Sequence, residues 1–396
     1  MVDPSKRLYF IDAMRAWAIL MMLQGHFIDG LLDPVFRDPG NMAFATWKYF
    51  RGITAPVFFT VSGFIFTYLL LRAPRSGTGN PRIRKGLKRG LQLVMIGYLL
   101  RTNLFGLLNG VLYPSFFLVD VLHCIGISLL IIIGVYLLTI KRGAAYMAAT
   151  LTLTGLLLFL FEPVYKSWDY SWLPTGLANY FTLANGSVFT IIPWVGYTLI
   201  GGFLSIGFHT FRKDPYLYAK SITLSLMSGL FLIWFSSPFF HWMGSLTGIS
   251  LFEQIVSNNY LFIRLGDVFL VFAVFMILRG LMEQKMFLKI GQNTLSIYVI
   301  HFIVLYGSFT GIGLYRFFHH SLAPALVIPA ALVFMLCCTW AALYYDRREA
   351  QIKTILGQSG DLLATRGIHL ASLAYRQGRT QWIRLKRILS PSQDTK

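Results

Sequence analysis

The chain has 396 residues, of which 56% are hydrophobic and only 13% carry a charged side chain. A soluble domain carries about 25% charged residues, so this composition excludes an ordinary soluble protein and indicates a polytopic membrane protein. The formal net charge of +19 does not indicate nucleic-acid binding, because the basic residues lie in short loops and in the C-terminal tail. That distribution fits contact with anionic lipid headgroups. We therefore expect membrane lipids, and no nucleic acid, among the partners.

Apolar segments of about 20 residues predict an all-α polytopic membrane protein with about ten transmembrane helices. Lys and Arg are concentrated in alternate connections, which predicts that both termini are cytoplasmic. The predicted transmembrane domain covers residues 1–345, and residues 346–396 form a basic cytoplasmic tail whose apolar residues recur as in an amphipathic interfacial helix. The ten predicted helices lie near residues 12–31, 52–72, 87–105, 115–139, 143–162, 188–208, 219–237, 262–281, 287–309 and 322–345.

The first apolar segment carries two ionisable residues, Arg15 and His26, in the stretch RAWAILMMLQGH. Ionisable groups are costly inside a bilayer, so their presence indicates a functional role. Eleven steps of about 100° overshoot three turns by about 20°, so both side chains project from one face, about 16 Å apart along the axis. Ile19 and Met22 lie on that face and are predicted to line a passage. The pattern predicts an anionic ligand near Arg15 and proton transfer at His26.

The second connection contains the most basic stretch, PRIRKGLKRG, at residues 81–90. The positive-inside rule alone accounts for most of these charges. A sharper alternative is a phosphate site, because Arg and Lys side chains bind phosphates strongly. No P-loop or Rossmann glycine pattern lies beside the stretch, which argues against an ATP or NAD site. The phosphate alternative therefore depends on independent grounds for a phosphorylated ligand.

Acidic and basic residues recur at one depth in four of the predicted helices. Such groups would be unfavourable facing lipid, so we expect them to surround a polar cavity on the outer side. Asp120 with His123, and Arg264 with Asp267, are equally well explained as structural ion pairs. The residues at this depth are His26, Asp29, Arg101, Asn103, Asp120, His123, Arg264 and Asp267.

The remaining histidines and the cysteines give no metal signal. His301 lies mid-helix in SIYVIHF and is interpreted as a core histidine. His319 and His320 are interpreted as loop residues, because two adjacent histidines without a third ligand are a weak metal pattern. The three cysteines all lie in apolar segments without metal-type spacing. We therefore predict no metal site.

Two long outer connections, residues 162–187 and 238–261, are rich in aromatic residues, Gly, Ser and Asn. The first is long enough to form a lid or an acceptor-binding surface. The alternative is a pair of interfacial loops anchored by Trp and Tyr, since aromatic belts are normal at both membrane interfaces. The sequence leaves both interpretations open.

The first predicted helix and several later segments resemble a known family. RLYFIDAMRAWAILMMLQGHF, with its R-x10-H spacing, resembles the hallmark of acyltransferase-three transmembrane acyltransferases and of the related family with the heparan-α-glucosaminide N-acetyltransferase catalytic domain. FRGITAPVFFTVSGF, RGLQLVMIGYLLR, VDVLHCIGISL, PWVGYTLIGG and IGQNTLSIYVIHF are further similar segments. The resemblance implies transfer of an acyl group, usually acetyl, from cytoplasmic acyl-CoA to an extracytoplasmic acceptor, commonly a sugar or glycan.

The resemblance also implies where the donor lies. Acyl-CoA is expected as a co-substrate, with no tightly bound cofactor. Arg15 is a donor-site residue by this resemblance, and the thioester is expected at His26. The other residues expected to hold the donor phosphates are Arg84, Lys85, Lys88 and Arg89.

By the same resemblance His26 is the catalytic histidine. We expect it to act as a general base, oriented by Asp29 or Asp120. Arg101 or Asn103 is expected to stabilise the oxyanion. Direct transfer needs no metal, and an acyl-histidine intermediate is an allowed variant.

Two other functions fit the same residues. One is a non-enzymatic transporter or flippase that passes a glycan or lipid, and the other is a degenerate family member that only binds ligand. Both need a buried cavity with ionisable walls, as an acyltransferase does. The membrane expected for the enzyme is the bacterial inner (cytoplasmic) membrane. The sequence leaves open the acceptor, acetyl against succinyl or longer donors, O- against N-transfer, and the oligomeric state.

Overall fold

A computed structural model describes residues 8–349, 351 and 354 of the chain. The described residues form helices and no strand, which confirms the all-α class. The helices in chain order are α1 (Tyr9–Leu31), α2 (Met42–Leu71), α3 (Pro81–Leu100), α4 (Leu104–Leu108), α5 (Val121–Thr139), α6 (Ala144–Leu160), α7 (Glu162–Lys166), α8 (Thr175–Ala178), α9 (Ile191–Thr210), α10 (Leu217–Thr247), α11 (Ser250–Ser257), α12 (Tyr260–Ile277), α13 (Lys285–Gln292), α14 (Thr294–Tyr306), α15 (Leu314–Phe318) and α16 (Pro324–Glu349).

Six helical segments among the described residues are long and apolar enough to cross a membrane, or seven if the bent pair α13–α14 counts as one span. The protein is therefore a multi-pass membrane protein. Ionisable side chains lower the mean hydropathy of α1 and α3, which lie outside this set, and α6 is too short. The count of ten spans and the cytoplasmic termini stay predictions. The six segments are α2, Pro114–Thr139, α9, α10, Tyr260–Leu281 and α16.

Helix α3 begins inside the basic stretch, ahead of the start at residue 87 that hydropathy predicts. The Asn80 side chain caps it by accepting a hydrogen bond from the Arg82 N–H at 2.9 Å. Pro81 at the first helical position has no N–H to leave unpaired. The first half of α3 is thus an amphipathic, charged helix, and a criterion based on apolar length cannot find it.

The predicted helix at 287–309 is not one continuous helix, because the chain bends by 69° between α13 and α14. Gly291 of α13 lies directly against the backbone of Asp12 in α1, where any side chain would overlap the Asp12 carbonyl. Close crossing of this kind requires glycine. Helix α13 ends at Gln292, and Asn293 forms its C-cap. Helix α14 then begins at Thr294, which contacts Arg15 of α1, and runs in a different direction.

Glycines also let the central helices α2 and α9 approach closely. Gly63 of α2 faces the carbonyl of Thr198, and Gly201 of α9 faces the carbonyl of Thr60. A side chain at either glycine would overlap the opposite backbone. Next to this crossing, four aromatic rings from α1, α2, α9 and α12 pack with centroid separations of 5.4–6.4 Å, and they are Phe10, Phe64, Phe208 and Phe272.

The chain divides into two compact units, with the boundary between Ala342 and Leu343 inside α16. Most of the predicted basic tail, residues 346–396, lies outside the described residues. Its amphipathic helix and the domain boundary at residue 345 therefore stay predictions. All of the residues considered below belong to the first unit.

Candidate functional site

A cavity of about 320 Å³ lies between α2, α3, α5 and α14, with Arg15 of α1 in its wall. We call it the cationic cavity, because four basic side chains line it and none of its described lining residues is acidic. Its other walls are mainly apolar, from Phe58, Ile65, Leu93, Leu122 and Leu129. Such a concentration of one charge attracts an anionic ligand. The four basic residues are Arg15, Arg82, Lys85 and Arg89.

The basic residues of α3 divide between two faces of the helix. Arg82, Lys85 and Arg89 recur at helical spacing and line the cationic cavity. Arg84 and Lys88 lie outside its lining, so the structure does not bring these two predicted donor-site residues into the cavity. Arg82 was not predicted but belongs to the set. The two groups differ in their positions around the axis of α3. These positions follow from the sequence once the helix is known to begin at Pro81.

Arg15 is held where α1 meets α14. Its Nη2 donates a hydrogen bond to the Thr294 hydroxyl at 3.0 Å. Its Nη1 lies 3.8 Å from the Asp12 carboxylate, one turn earlier on α1. These contacts fix the guanidinium in the wall of the cationic cavity.

His26 is paired with a second histidine from α14. Nδ1 of His26 lies 3.2 Å from Nε2 of His301, and the ring centroids are 5.3 Å apart. His301 is fully buried, as its pattern predicts, but its position beside His26 was not predicted. The signal that could have found it is its place in IGQNTLSIYVIHF, seven residues after Thr294, which contacts Arg15.

One face of α14 joins the cationic cavity to the histidine pair. Thr294, Tyr298 and His301 recur at helical spacing on this face. Thr294 and Tyr298 line the cavity, and the Tyr298 ring lies 4.9 Å from the His301 ring, centroid to centroid. The end of the cavity at Tyr298 is therefore one ring away from the two histidines.

The face of α1 between Arg15 and His26 does not line the cavity. Ile19 is fully buried, and neither Ile19 nor Met22 is among the lining residues. The contacts that link the cavity to His26 run instead along α14, through Tyr298 and His301. Helical periodicity relates Arg15 to His26 along one face of α1. It carries no information on which neighbouring helix packs against that face.

Asp29 does not orient His26. Its carboxylate forms an ion pair with Arg51 of α2 at 2.6 Å, and Arg37 donates to its backbone carbonyl at 2.6 Å. Arg51 also lies across Gly25, the residue before His26. Because the Asp29 side chain is 43% exposed, this pair forms a polar rim beside the histidines. The hydrogen-bond partner of His26 is His301 instead.

Asp120 is also held away from His26. Its carboxylate bonds Nδ1 of His123 at 3.0 Å and lies 3.4 Å from Nε of Arg101. All three side chains are largely buried, which favours the interpretation of a structural ion-pair cluster between α3 and α5. The charge of Arg101 is thus already neutralised. Asn103 instead caps α4, accepting a hydrogen bond from the N–H of Gly106.

Arg264 and Asp267 form a further cluster with α2. Nη1 of Arg264 lies 2.9 Å from the Asp267 carboxylate, to which the Tyr49 hydroxyl donates at 2.7 Å. The predicted outer polar cavity therefore resolves into three separate ion-pair clusters and one histidine pair. Within the part of the chain that the structure describes, no three His, Cys, Asp or Glu side chains are grouped to hold a metal ion.

The fold and the site together define a class: an all-α, multi-pass membrane protein with a cationic cavity and a pair of histidines that packs against one of its lining residues. A comparison with curated proteins found no match to this chain. The sequence profile of the family described as heparan-alpha-glucosaminide N-acetyltransferase, catalytic, matches residues 7–216, which is 210 of the 396 residues. The chain therefore belongs to this acetyltransferase family. Arg15, His26 and all of α3 lie inside the matched region, whereas α14 lies outside it.

Proposed function

We propose that this protein transfers an acyl group, acetyl by its family, from cytoplasmic acyl-CoA to a hydroxyl or amine of an extracytoplasmic sugar or glycan. The observation that carries the proposal is a chain of contacts: Tyr298 lines the cationic cavity and packs against His301, whose ring lies at hydrogen-bond distance from His26. Family membership supports acetyl transfer. Alternating basic loops support the direction, because the positive-inside rule predicts a cytoplasmic location for the cationic end.

The cationic cavity suits the donor on chemical grounds. Coenzyme A joins anionic phosphates to a long, slim arm that ends in the thioester. Arg82, Lys85 and Arg89 would hold the phosphates, because guanidinium and ammonium groups form strong charge-assisted hydrogen bonds to phosphate oxygens. Arg15 stands further along the wall. The arm would then follow the apolar side towards Tyr298, which brings the thioester to the histidine pair.

The histidine pair suits general-base catalysis. When the Nδ1–H of His26 donates a hydrogen bond to Nε2 of His301, Nε2 of His26 keeps its lone pair. It would take the proton of the acceptor O–H or N–H while the acceptor atom attacks the thioester carbonyl carbon. The new C–O or C–N bond forms, the C–S bond breaks, and the coenzyme A thiolate leaves and receives the proton from His26.

The test is acceptor-dependent release of coenzyme A. Purified protein is mixed with acetyl-CoA, and free thiol is measured with and without glucosamine and a panel of neutral sugars. We expect thiol release that rises with acceptor and is matched by acetylated sugar, and none with His26→Ala. A folded parent protein that releases no thiol with any sugar would overturn the proposal and favour a transporter or a binding protein.

A further inference from the structure

A second, larger cavity of about 520 Å³ lies where the two long connections of the chain meet. We call it the aromatic cavity. Its walls come from α7, from residues 181–194, and from residues 258–261 at the start of α12. The sequence marks the connections 162–187 and 238–261 only as separate aromatic loops. In the structure they close around one space.

The aromatic cavity lies at the same end of the bundle as His26. Tyr260, in its wall, places its hydroxyl 3.5 Å from the carbonyl of Gly52 in α2. The neighbouring Arg51 forms the ion pair with Asp29, one turn beyond His26. A polar rim of exposed and half-buried side chains therefore runs from the histidine pair to the aromatic cavity.

The walls of the aromatic cavity combine ring faces with neutral hydrogen-bonding groups. Glu162 and Lys166 form an ion pair with each other at 3.0 Å, so the lining carries one charge of each sign. The cationic cavity, by contrast, has four positive charges and no carboxylate. A phosphate has no net attraction to the aromatic cavity. Its ring faces are Tyr165, Phe181, Trp194 and Tyr260, and its uncharged hydrogen-bonding groups include Thr182, Thr190 and Asn258.

This combination fits a sugar ring. A pyranose has two faces of C–H groups, which pack on aromatic rings, and an edge of hydroxyl groups that require hydrogen-bond partners. The Thr190 hydroxyl already donates to the Ile192 carbonyl, but the exposed Asn258 amide can bind a sugar hydroxyl, a partner that an acyl chain does not offer. The cavity volume lies in the range of small-molecule sites.

We infer that the aromatic cavity binds a neutral saccharide unit of the acceptor, distant from the unit that reacts at His26. The acceptor is then an extended oligosaccharide that lies along the rim between the two sites. The inference rests on the proposed function for the reacting end. Saccharide binding itself needs no donor, so it can be measured separately from transfer.

The experiment compares two probes on three variants. The probes are glucosamine and a tetrasaccharide of glucosamine followed by three N-acetylglucosamine units, and affinities are measured by calorimetry without donor. Trp194→Ala removes the largest ring face, and Asn258→Ala removes an exposed amide with little effect on packing. The matched control is Trp172→Ala. Trp172 lies in the connection 162–187, is 76% exposed and does not line the cavity.

We expect the parent to bind the tetrasaccharide more tightly than glucosamine. Trp194→Ala and Asn258→Ala should each weaken tetrasaccharide binding by about fivefold or more, as for loss of one ring contact or hydrogen bond. Affinities for glucosamine and for acetyl-CoA should stay unchanged, which also reports correct folding. Trp172→Ala should match the parent throughout.

Equal affinity of the parent for the two probes would overturn the inference. So would unchanged tetrasaccharide binding in a folded Asn258→Ala and Trp194→Ala pair. If binding depends on the aromatic cavity but the parent transfers no acetyl group, the inference stands and the proposed function fails. The two conclusions are therefore separable.

Discussion

His26 and His301 come from helices that are far apart in sequence, and each fixes the hydrogen-bonding role of the other. At 3.2 Å between Nδ1 and Nε2, one ring must donate and the other must accept. Catalytic histidines commonly have a second group that sets their tautomer. In other enzymes this group is a carboxylate or a backbone carbonyl. Here a neutral imidazole fills it, which introduces no further charge into the bundle.

Substitution of the two histidines should separate proton transfer from positioning. His26→Ala should lower kcat by about 10²–10⁴-fold, because it removes the base. His301→Ala should lower kcat by about tenfold or more, because His26 loses the partner that orients it. His301→Gln keeps a side-chain hydrogen-bonding group and should recover part of the loss. The Kd for coenzyme A should change little in all three proteins.

Rates and affinities measured on monodisperse protein decide this prediction. Near-parental kcat for a folded His26→Ala protein would remove His26 from the mechanism. A His301→Gln variant no better than His301→Ala would show that His301 serves packing rather than hydrogen bonding.

At the residue level, the sequence could relate site residues to one another only where they lie on one helix. Arg15 and His26 are linked by local periodicity, and the structure places Arg15 in the wall of the cationic cavity and His26 beside His301, which packs on the lining residue Tyr298. His301 could not be assigned in this way, because a histidine in an apolar helix has the same local pattern whether it contacts leucine or another histidine. The contact between Asp29 and Arg51 could not be foreseen for the same reason, since the two residues lie on different helices.

At the scale of elements, α3 allows a comparison of four variants. Each variant removes one positive charge, and the variants differ in whether the removed side chain lines the cationic cavity. Lys85→Ala and Arg89→Ala should each weaken acetyl-CoA binding by about tenfold, the effect of losing one charge-assisted contact. Arg84→Ala and Lys88→Ala remove the same charge from positions outside the cavity lining and should leave the Kd unchanged.

Calorimetry at one fixed ionic strength makes the four α3 variants comparable, because long-range attraction depends on salt. Equal weakening by all four substitutions would mean that α3 attracts the donor only by its net charge. In that case the cationic cavity would not be the donor site.

Helix α9 offers a second test, of packing. Gly201 faces the backbone of α2 without space for a side chain, whereas a Cβ at Gly207 in the same helix meets nothing within 4 Å. Gly201→Ala should therefore lower Tm by forcing α2 and α9 apart. Gly207→Ala should keep or raise it, since alanine favours the helix over glycine by about 0.5–1 kcal/mol. Thermal unfolding in one detergent measures both, and equal Tm values would exclude a tight α2–α9 crossing.

The apolar pattern predicted where helices lie better than where they begin or bend. Each of the ten predicted segments overlaps a helix, because burial in lipid or protein requires long apolar runs. The charged start of α3 and the bend between α13 and α14 escaped it. The start of α3 depends on the N-cap at Asn80. The bend depends on the contact between Gly291 of α13 and the Asp12 backbone of α1. Neither cause is visible in a hydropathy pattern.

At the scale of the whole transmembrane unit, the two ends of the bundle differ in charge. The cationic cavity opens near the start of α3, whereas the rim and the aromatic cavity at the other end are built from paired charges and rings. A phosphorylated donor and a neutral acceptor would therefore approach from opposite ends. This division requires the basic end to face the cytoplasm, where acyl-CoA is made available.

Labelling of single cysteines tests that orientation. Cys124, Cys337 and Cys338 are first replaced by alanine, because Cys337 is exposed and would react. Ser76→Cys then marks the connection before α3, and Ser167→Cys marks the connection beside the aromatic cavity; both serines are exposed. In intact cells a membrane-impermeant maleimide should label only the protein with Cys at 167, because alternating basic loops place that connection outside. Permeabilised cells should show both sites, which controls for reactivity. Labelling at position 76 in intact cells would place the cationic cavity on the outer side, away from cytoplasmic acyl-CoA, and the donor assignment would fail with it.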